Sequence, residues 1–183
     1  RFVERWQGKA DGRITTWLAP HSPYLCDPDF LASCAREAAR LGVGNHIHAA
    51  ETAGQMALSL ERYGKTPVQV LADAGILEQP VILAHCLYPS DDDLDLLAGR
   101  EAGIAQAPKT YLAMAMGLAD LPKYLEKGIA LGLATDGAVS SCTLDLFEQM
   151  RLTALTQKNK AMDAEVLPVE TVLDIAFQGG ARV

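Results

Sequence analysis

Histidine is scarce in this chain, with four in 183 residues, and two of them stand together in "NHIHAAET", residues 45–52. Other features are missing outright. No apolar run reaches the roughly 18 to 20 residues that span a bilayer, and the opening "RFVERWQGKADGR" has no apolar stretch of the kind found in signal peptides. A cytoplasmic protein with no membrane association is therefore expected. The cysteines Cys26, Cys34, Cys86 and Cys142 lie far apart with no C-x-x-C pair, which argues against both a thiolate zinc site and a disulfide framework. They read as reduced and mostly buried. Lysine and arginine form no cluster and the net charge is −7, so no nucleic-acid partner is expected. Internal repeats, low-complexity tracts and linker-like segments are also absent, and residues 1–183 read as a single domain.

What is present is a globular balance, 49% hydrophobic and 21% charged. Short apolar runs alternate with amphipathic stretches about every 25 to 35 residues, the pattern of βα units. Strands are predicted at 14–20 ("ITTWLAP"), 45–50, 81–86 ("VILAHC"), 104–108 ("IAQAP") and 129–137 ("IALGLATDG"). Helices are predicted over 27–42, 55–64, 67–77, 90–103, 118–128 and 144–160, with Pro28 near a start, Gly42 at a stop and Ser90 as an N-cap. Strands that are apolar on both faces and are each followed by a helix form a parallel sheet covered by helices. Polar residues gather at the C-terminal strand ends: His21, His48 with Glu51, His85, Pro108 to Thr110, and Asp136. Successive ends of this kind point to a shared mouth and favour a barrel over an open sheet. A closed (β/α)8 barrel needs about 250 residues, so the expected α/β fold is part of one.

His46 and His48, two apart on a strand, share one face. Neutral imidazole is a common metal ligand, although H-x-H reads equally well as two hydrogen-bonded interior histidines. His85 and Asp136 end other strands and converge on the same side of the sheet. A catalytic metal takes about three protein ligands and keeps an open position, and imidazole with carboxylate suits zinc or ferrous iron. The plainer readings are a turn for Asp136-Gly137 and, for His85, a buried histidine satisfied by a backbone carbonyl.

The motifs "HIHAAET", "AHCLYPSDDDLDLLA", "IAQAPKTYLAMAMG" and "GLATDGAVSSCTLDLFEQMRLTALTQK" resemble the amidohydrolase superfamily. The likeness is to its branch of methylthioadenosine/adenosylhomocysteine deaminases, guanine deaminases and triazine hydrolases, and it runs from about residue 14 to the last residue. It implies that the chain supplies strands 4–8 of a (β/α)8 barrel with their helices. It also implies one divalent metal, zinc or iron, held by His48 and Asp136, with two further ligands from the family's strand-1 H-x-H, which is separate from His46 and His48 and is not in this chain. By the same resemblance Glu51 protonates the substrate ring and shuttles protons, His85 hydrogen-bonds the activated water, Asp136 acts as ligand and base, and His21 and Ser140 contact substrate. His46 has no constant role and reads as a residue that supports its neighbour. The family's H-C-P-x-S-N is here "QAPKTY", with Gln106, Thr110 and Tyr111 in the places of His, Ser and Asn. The implied activity is hydrolysis of an aminated heterocycle, with deamination expected and dechlorination or amide hydrolysis as alternatives. The implied partners are a small-molecule heterocyclic substrate and further copies of the chain in a homo-oligomer. A reading from a different class is a catalytically silent half-barrel that binds through its open edge. Thr52, Gln55 and Tyr63 read as ordinary helix-surface residues.

Overall fold

The computed structural model describes residues 1–183. In chain order it contains α1 (Phe2–Trp6), α2 (Pro28–Leu41), β1 (Asn45–Ala49), α3 (Ala53–Tyr63), α4 (Pro67–Asp73), β2 (Val81–His85) and α5 (Asp91–Leu97). It continues with β3 (Ala102–Gln106), α6 (Pro108–Ala113), α7 (Leu121–Glu126), β4 (Ala130–Leu133), α8 (Ala138–Ser141), α9 (Leu146–Ala161) and α10 (Val169–Asp174).

Local chemistry sets most helix ends. Asp27 accepts the Phe30 N–H at 2.8 Å, Pro28 opens α2, and Gly42 closes it with φ +65°. Ser90 and Asp93 form a capping box at the start of α5. The stretch predicted as one helix over 67–77 divides, because Gly75 takes φ +78° and Ile76–Glu78 forms a separate 3-10 turn. The helix at 108–113 was not anticipated; Pro108 cannot extend a ladder and instead starts α6.

The four strands are parallel and lie in the order β1-β2-β3-β4. Spatial order follows chain order without a reversal, which is the arrangement of a barrel sector; a doubly wound sheet reverses at a switch point. The predicted first strand, 14–20, is reduced to one bridge between Leu18 and Asn45. Leu18 N–H reaches Gly44 O at 3.0 Å and Leu18 O accepts His46 N–H at 2.8 Å, so the ladder begins normally. Pro20 then has no N–H to continue it, and His48 N–H bonds His21 O at 3.0 Å.

One face of the sheet packs on the helices. Ile47, Leu83, Ile104 and Leu131 are 2% exposed or less and join Leu31, Val68, Leu71, Leu94, Leu97, Leu121 and Tyr124 in the main core. The other face carries His46 and His48 opposite Ile82 and Ala84, with Ala84 beside Ala105 and Ala105 beside Gly132. After α10 the chain turns through Ile175–Gly179 against β4. A Cβ at Gly179 would lie 2.0 Å from Leu131 O, so only glycine permits this approach. Val183 then lies so close over Gly103 that a Cβ there would meet it at 2.8 Å.

Candidate active site

A cleft of about 280 Å³ opens at the C-terminal ends of the strands. Its floor is alanine, contributed by Ala84, Ala105, Ala107 and Ala134, and its polar groups are His21, His46, His48, His85 and Asp136. Small floor residues leave the space; the imidazoles and the carboxylate rim it.

His48 reaches the cleft by simple strand alternation from β1. Its Nδ1 is 2.7 Å from the carbonyl oxygen of His21. A carbonyl only accepts, so Nδ1 carries a proton, and in the neutral imidazole the lone pair is on Nε2. This is the second contact that fixes a ligating imidazole. It comes from the backbone of His21, whereas no hydrogen bond links His46 to its neighbour, so the expected support by His46 is not what orients His48. The His21 and His48 rings stack with centroids 4.7 Å apart, and His48 stacks on His85 at 5.3 Å. His21 Nδ1 also pairs with Ser22 Oγ at 2.9 Å.

His85 arrives differently. Ala84 and His85 are successive residues, yet both line the cleft. On a regular strand they would point to opposite faces. His85 has φ +71° and Cys86 has φ +45°, and this left-handed bend turns the imidazole inward. Neighbouring elements hold the bend: Cys86 N–H bonds Ala49 O at 3.0 Å, Leu87 N–H bonds Ala50 O at 2.9 Å, Gln106 Nε2 donates to His85 O, and Tyr124 O–H donates to Cys86 O at 2.8 Å. Tyr111 stands edge-on to the ring at 5.6 Å and accepts the Ala107 N–H on its hydroxyl at 2.7 Å. His85 is buried at 4% exposure and its Nδ1 has no partner. Burial holds its pKa below the usual histidine value, against the opposing pull of Glu51. The imidazole is therefore neutral at neutral pH.

Glu51 follows Ala50, another left-handed residue with φ +46°. Its Oε1 lies 3.8 Å from His85 Nε2, and its Oε2 accepts Gln55 Nε2–H at 2.8 Å. Asp136, φ +59°, sits just beyond β4. Its Oδ1 accepts the Gly137 N–H at 2.7 Å and its Oδ2 accepts Ser140 O–H at 3.0 Å. Ser140 thus braces Asp136 and is not among the cleft-lining side chains. The structure brings His21, His48, His85 and Asp136 together with Glu51 beside them. The sequence shows Gln106 and Tyr111 as replacements within a quoted motif but not what they hold, it reads Gln55 as an ordinary helix-surface residue, and it gives no sign of Tyr124.

His48 and Asp136 suit a metal: one presents an unprotonated Nε2 and the other an anionic carboxylate. They are not a complete set, and no group of three or more His, Cys, Asp or Glu side chains in this chain is arranged to hold an ion.

The model of the amidohydrolase family matches residues 1–183. The chain belongs to that family. It is 42% identical over 180 residues to a 5-methylthioadenosine/S-adenosylhomocysteine deaminase of Pelotomaculum thermopropionicum, covering 98% of this chain and 42% of that protein. It is equally 42% identical over 182 residues to a 5'-deoxyadenosine deaminase of Methanosarcina acetivorans, again covering 42% of it. The chain therefore spans less than half the length of these curated relatives. Among solved structures, a zinc-bound adenosine deaminase from Xanthomonas campestris matches with TM-score 0.90 and 31% identity over 96% of this chain and 40% of its own. A zinc complex of atrazine chlorohydrolase from Arthrobacter aurescens matches with TM-score 0.88 and 26% identity over 99% of this chain and 40% of its own. These matches agree with the expected family and with the partial barrel. No helix is long and apolar enough to cross a membrane.

Proposed function

We propose that residues 1–183 form one part of a metal-dependent hydrolase that deaminates an aminated heterocycle. The observation that supports this best is the convergence of His48, His85 and Asp136, from three strand ends, on one alanine-floored cleft, with the Glu51 carboxyl 3.8 Å from His85 Nε2. The names of the relatives, which act on adenosine derivatives, make a purine nucleoside the leading substrate class.

In this reading His48 Nε2 and Asp136 hold a divalent ion, zinc or iron, with two further ligands from an H-x-H outside these residues. The ion, when bound, supplies a water acidic enough to be deprotonated near neutral pH. His85, neutral because it is buried, accepts a proton from the attacking water. Asp136, braced by Ser140 and the Gly137 N–H, keeps its carboxylate turned to the same place. Glu51 gives a proton to the ring nitrogen beside the attacked carbon, then takes the hydroxyl proton of the adduct and passes it to the departing ammonia, and the proton held by His85 restores Glu51. Water adds, the C–N bond breaks, and a carbonyl replaces the amine. His21, at the rim, holds the substrate by stacking or hydrogen bonding.

Hydrolytic dechlorination is the second reading, favoured by the structural likeness to atrazine chlorohydrolase. Ammonia and chloride release by the complete, metal-loaded enzyme would be measured on aminated purines, pyrimidines and chlorinated triazines. Ammonia from the purine nucleosides is the expected result. Chloride release alone would favour the second reading, and neither product from any compound would sink both.

A further inference from the structure

Two helices begin on the same four-residue pattern, T-x-x-Q: Thr52 to Gln55 ahead of α3 and Thr66 to Gln69 ahead of α4. In a complete capping box the N-cap hydroxyl accepts the N3 amide N–H, while the N3 side chain reaches back to the N-cap N–H. The second pattern does this, with Gln69 N–H on Thr66 Oγ1 at 3.1 Å and Thr66 N–H on Gln69 Oε1 at 3.0 Å. The first makes only half of it. Gln55 N–H bonds Thr52 Oγ1 at 3.2 Å, but the Gln55 side chain passes over Thr52 to Glu51. Its Oε1 accepts the Glu51 N–H at 3.1 Å and its Nε2 donates to Glu51 Oε2 at 2.8 Å.

We propose that Gln55 is a positioning residue that decides which oxygen of Glu51 carries the mobile proton. A proton on Oε2 would confront the Gln55 N–H donor, and one hydrogen bond would be lost with both groups partly buried. With Oε2 held as an acceptor, the proton sits on Oε1, the oxygen 3.8 Å from His85 Nε2. The second bond, from the Glu51 main-chain N–H, ties the same amide to the backbone, so carboxyl and amide are fixed as one ring. This inference rests on the reading above in which Glu51 transfers a proton.

The test compares Gln55→Leu with Gln69→Leu in the complete, metal-loaded enzyme. Both remove an amide of the same size from the same position of a helix cap, and only one touches Glu51. Gln55→Leu is expected to lower kcat about 10- to 100-fold while KM changes less than about threefold. Gln69→Leu should lower Tm comparably and leave kcat within about twofold of wild type. Equal kcat values for the two variants, or a change confined to KM, would overturn the proposal. Crystal structures of both variants give a readout that needs no turnover: Glu51 should leave its position in Gln55→Leu and keep it in Gln69→Leu. An unmoved Glu51 carboxyl in Gln55→Leu overturns the positioning role. A wild-type enzyme inert toward every aminated heterocycle overturns the functional reading instead.

Discussion

The two faces of the sheet are built by different rules. On the helix side, alternation alone decides: Ile47, Leu83, Ile104 and Leu131 point one way and disappear beneath α2 to α7. On the cleft side alternation delivers the histidines of β1 and the alanine floor. His85, Glu51 and Asp136 come from left-handed bends at His85–Cys86, Ala50 and Asp136. Non-glycine residues in that region cost about 1 to 3 kcal/mol each unless their surroundings hold them there. The helix side therefore stabilises, and the cleft side draws on that stability to hold an aim that strand geometry alone does not supply.

The largest expected effect tests the cleft side directly. Glu51→Gln preserves shape and hydrogen bonding but cannot shuttle a proton, and should reduce kcat by about 10² to 10⁴ with little change in Tm. Steady-state kinetics and a melting curve on the same sample would show the split. A kcat within tenfold of wild type would remove Glu51 from the chemistry.

Next comes the contrast between faces. Leu83→Ala, fully buried on the helix side, should cost about 2 to 5 kcal/mol in a denaturant melt. Ala105→Leu, on the neighbouring strand but on the cleft floor, should leave stability nearly intact and weaken substrate binding by filling the space. If Ala105→Leu destabilised as much as Leu83→Ala, the two faces would not differ as described.

A smaller effect is expected where the faces meet. Gln106→Leu removes the donor to His85 O, leaving that buried carbonyl short of a partner at about 1 to 3 kcal/mol. The released bend should also lower kcat, whereas an unchanged His85 position in a crystal structure would show that Tyr124 and the carbonyls of Ala49 and Ala50 suffice.

The smallest lies at the rim, where Lys109 Nζ bonds Glu148 at 2.6 Å and ties α6 to α9. Hydrogen bonds from Lys109 and then Thr143 hold the Glu148 carboxyl below the usual carboxylate range. A lowered acid pKa contributes stability that is present above the unfolded value of about 4.3 and is lost as pH falls through the folded one. Lys109→Met should therefore lower Tm slightly at neutral pH, and its difference from wild type should vanish as pH falls through the folded value, which flattens the acid limb of a Tm-against-pH profile. An unaltered acid limb would mean the pair is screened by solvent.

Much of the fold was legible because the relevant forces are local. Asp27 with Pro28 and Gly42, and Ser90 with Asp93, satisfy helix ends using residues within four positions of one another. The strand at 14–20 was over-read because its apolar pattern is genuine, while the missing N–H of Pro20 matters only once β1 lies beside it. His85 was assigned to the correct face for an incomplete reason: its strand position alone points it into the helices, and the bend at φ +71° reverses that. Nothing in the sequence shows that the Ser140 O–H donates a hydrogen bond to Asp136.

The pattern of apolar runs, caps and strand-end polar residues determined the parallel sheet and the identity of the groups around the cleft, since each depends on spacing along the chain, and the quoted motifs carried the resemblance to the family. The tertiary structure decided how those groups are held. Left-handed bends at His85 and Asp136 survive only where neighbouring elements supply the hydrogen bonds, and a backbone carbonyl from His21 selects the tautomer of His48. The two T-x-x-Q caps, alike in sequence, take different partners because one follows a glutamate turned toward His85 and the other follows Lys65, which pairs with Asp73. Local sequence proposes a hydrogen bond, and the neighbours that folding brings within reach settle which one forms.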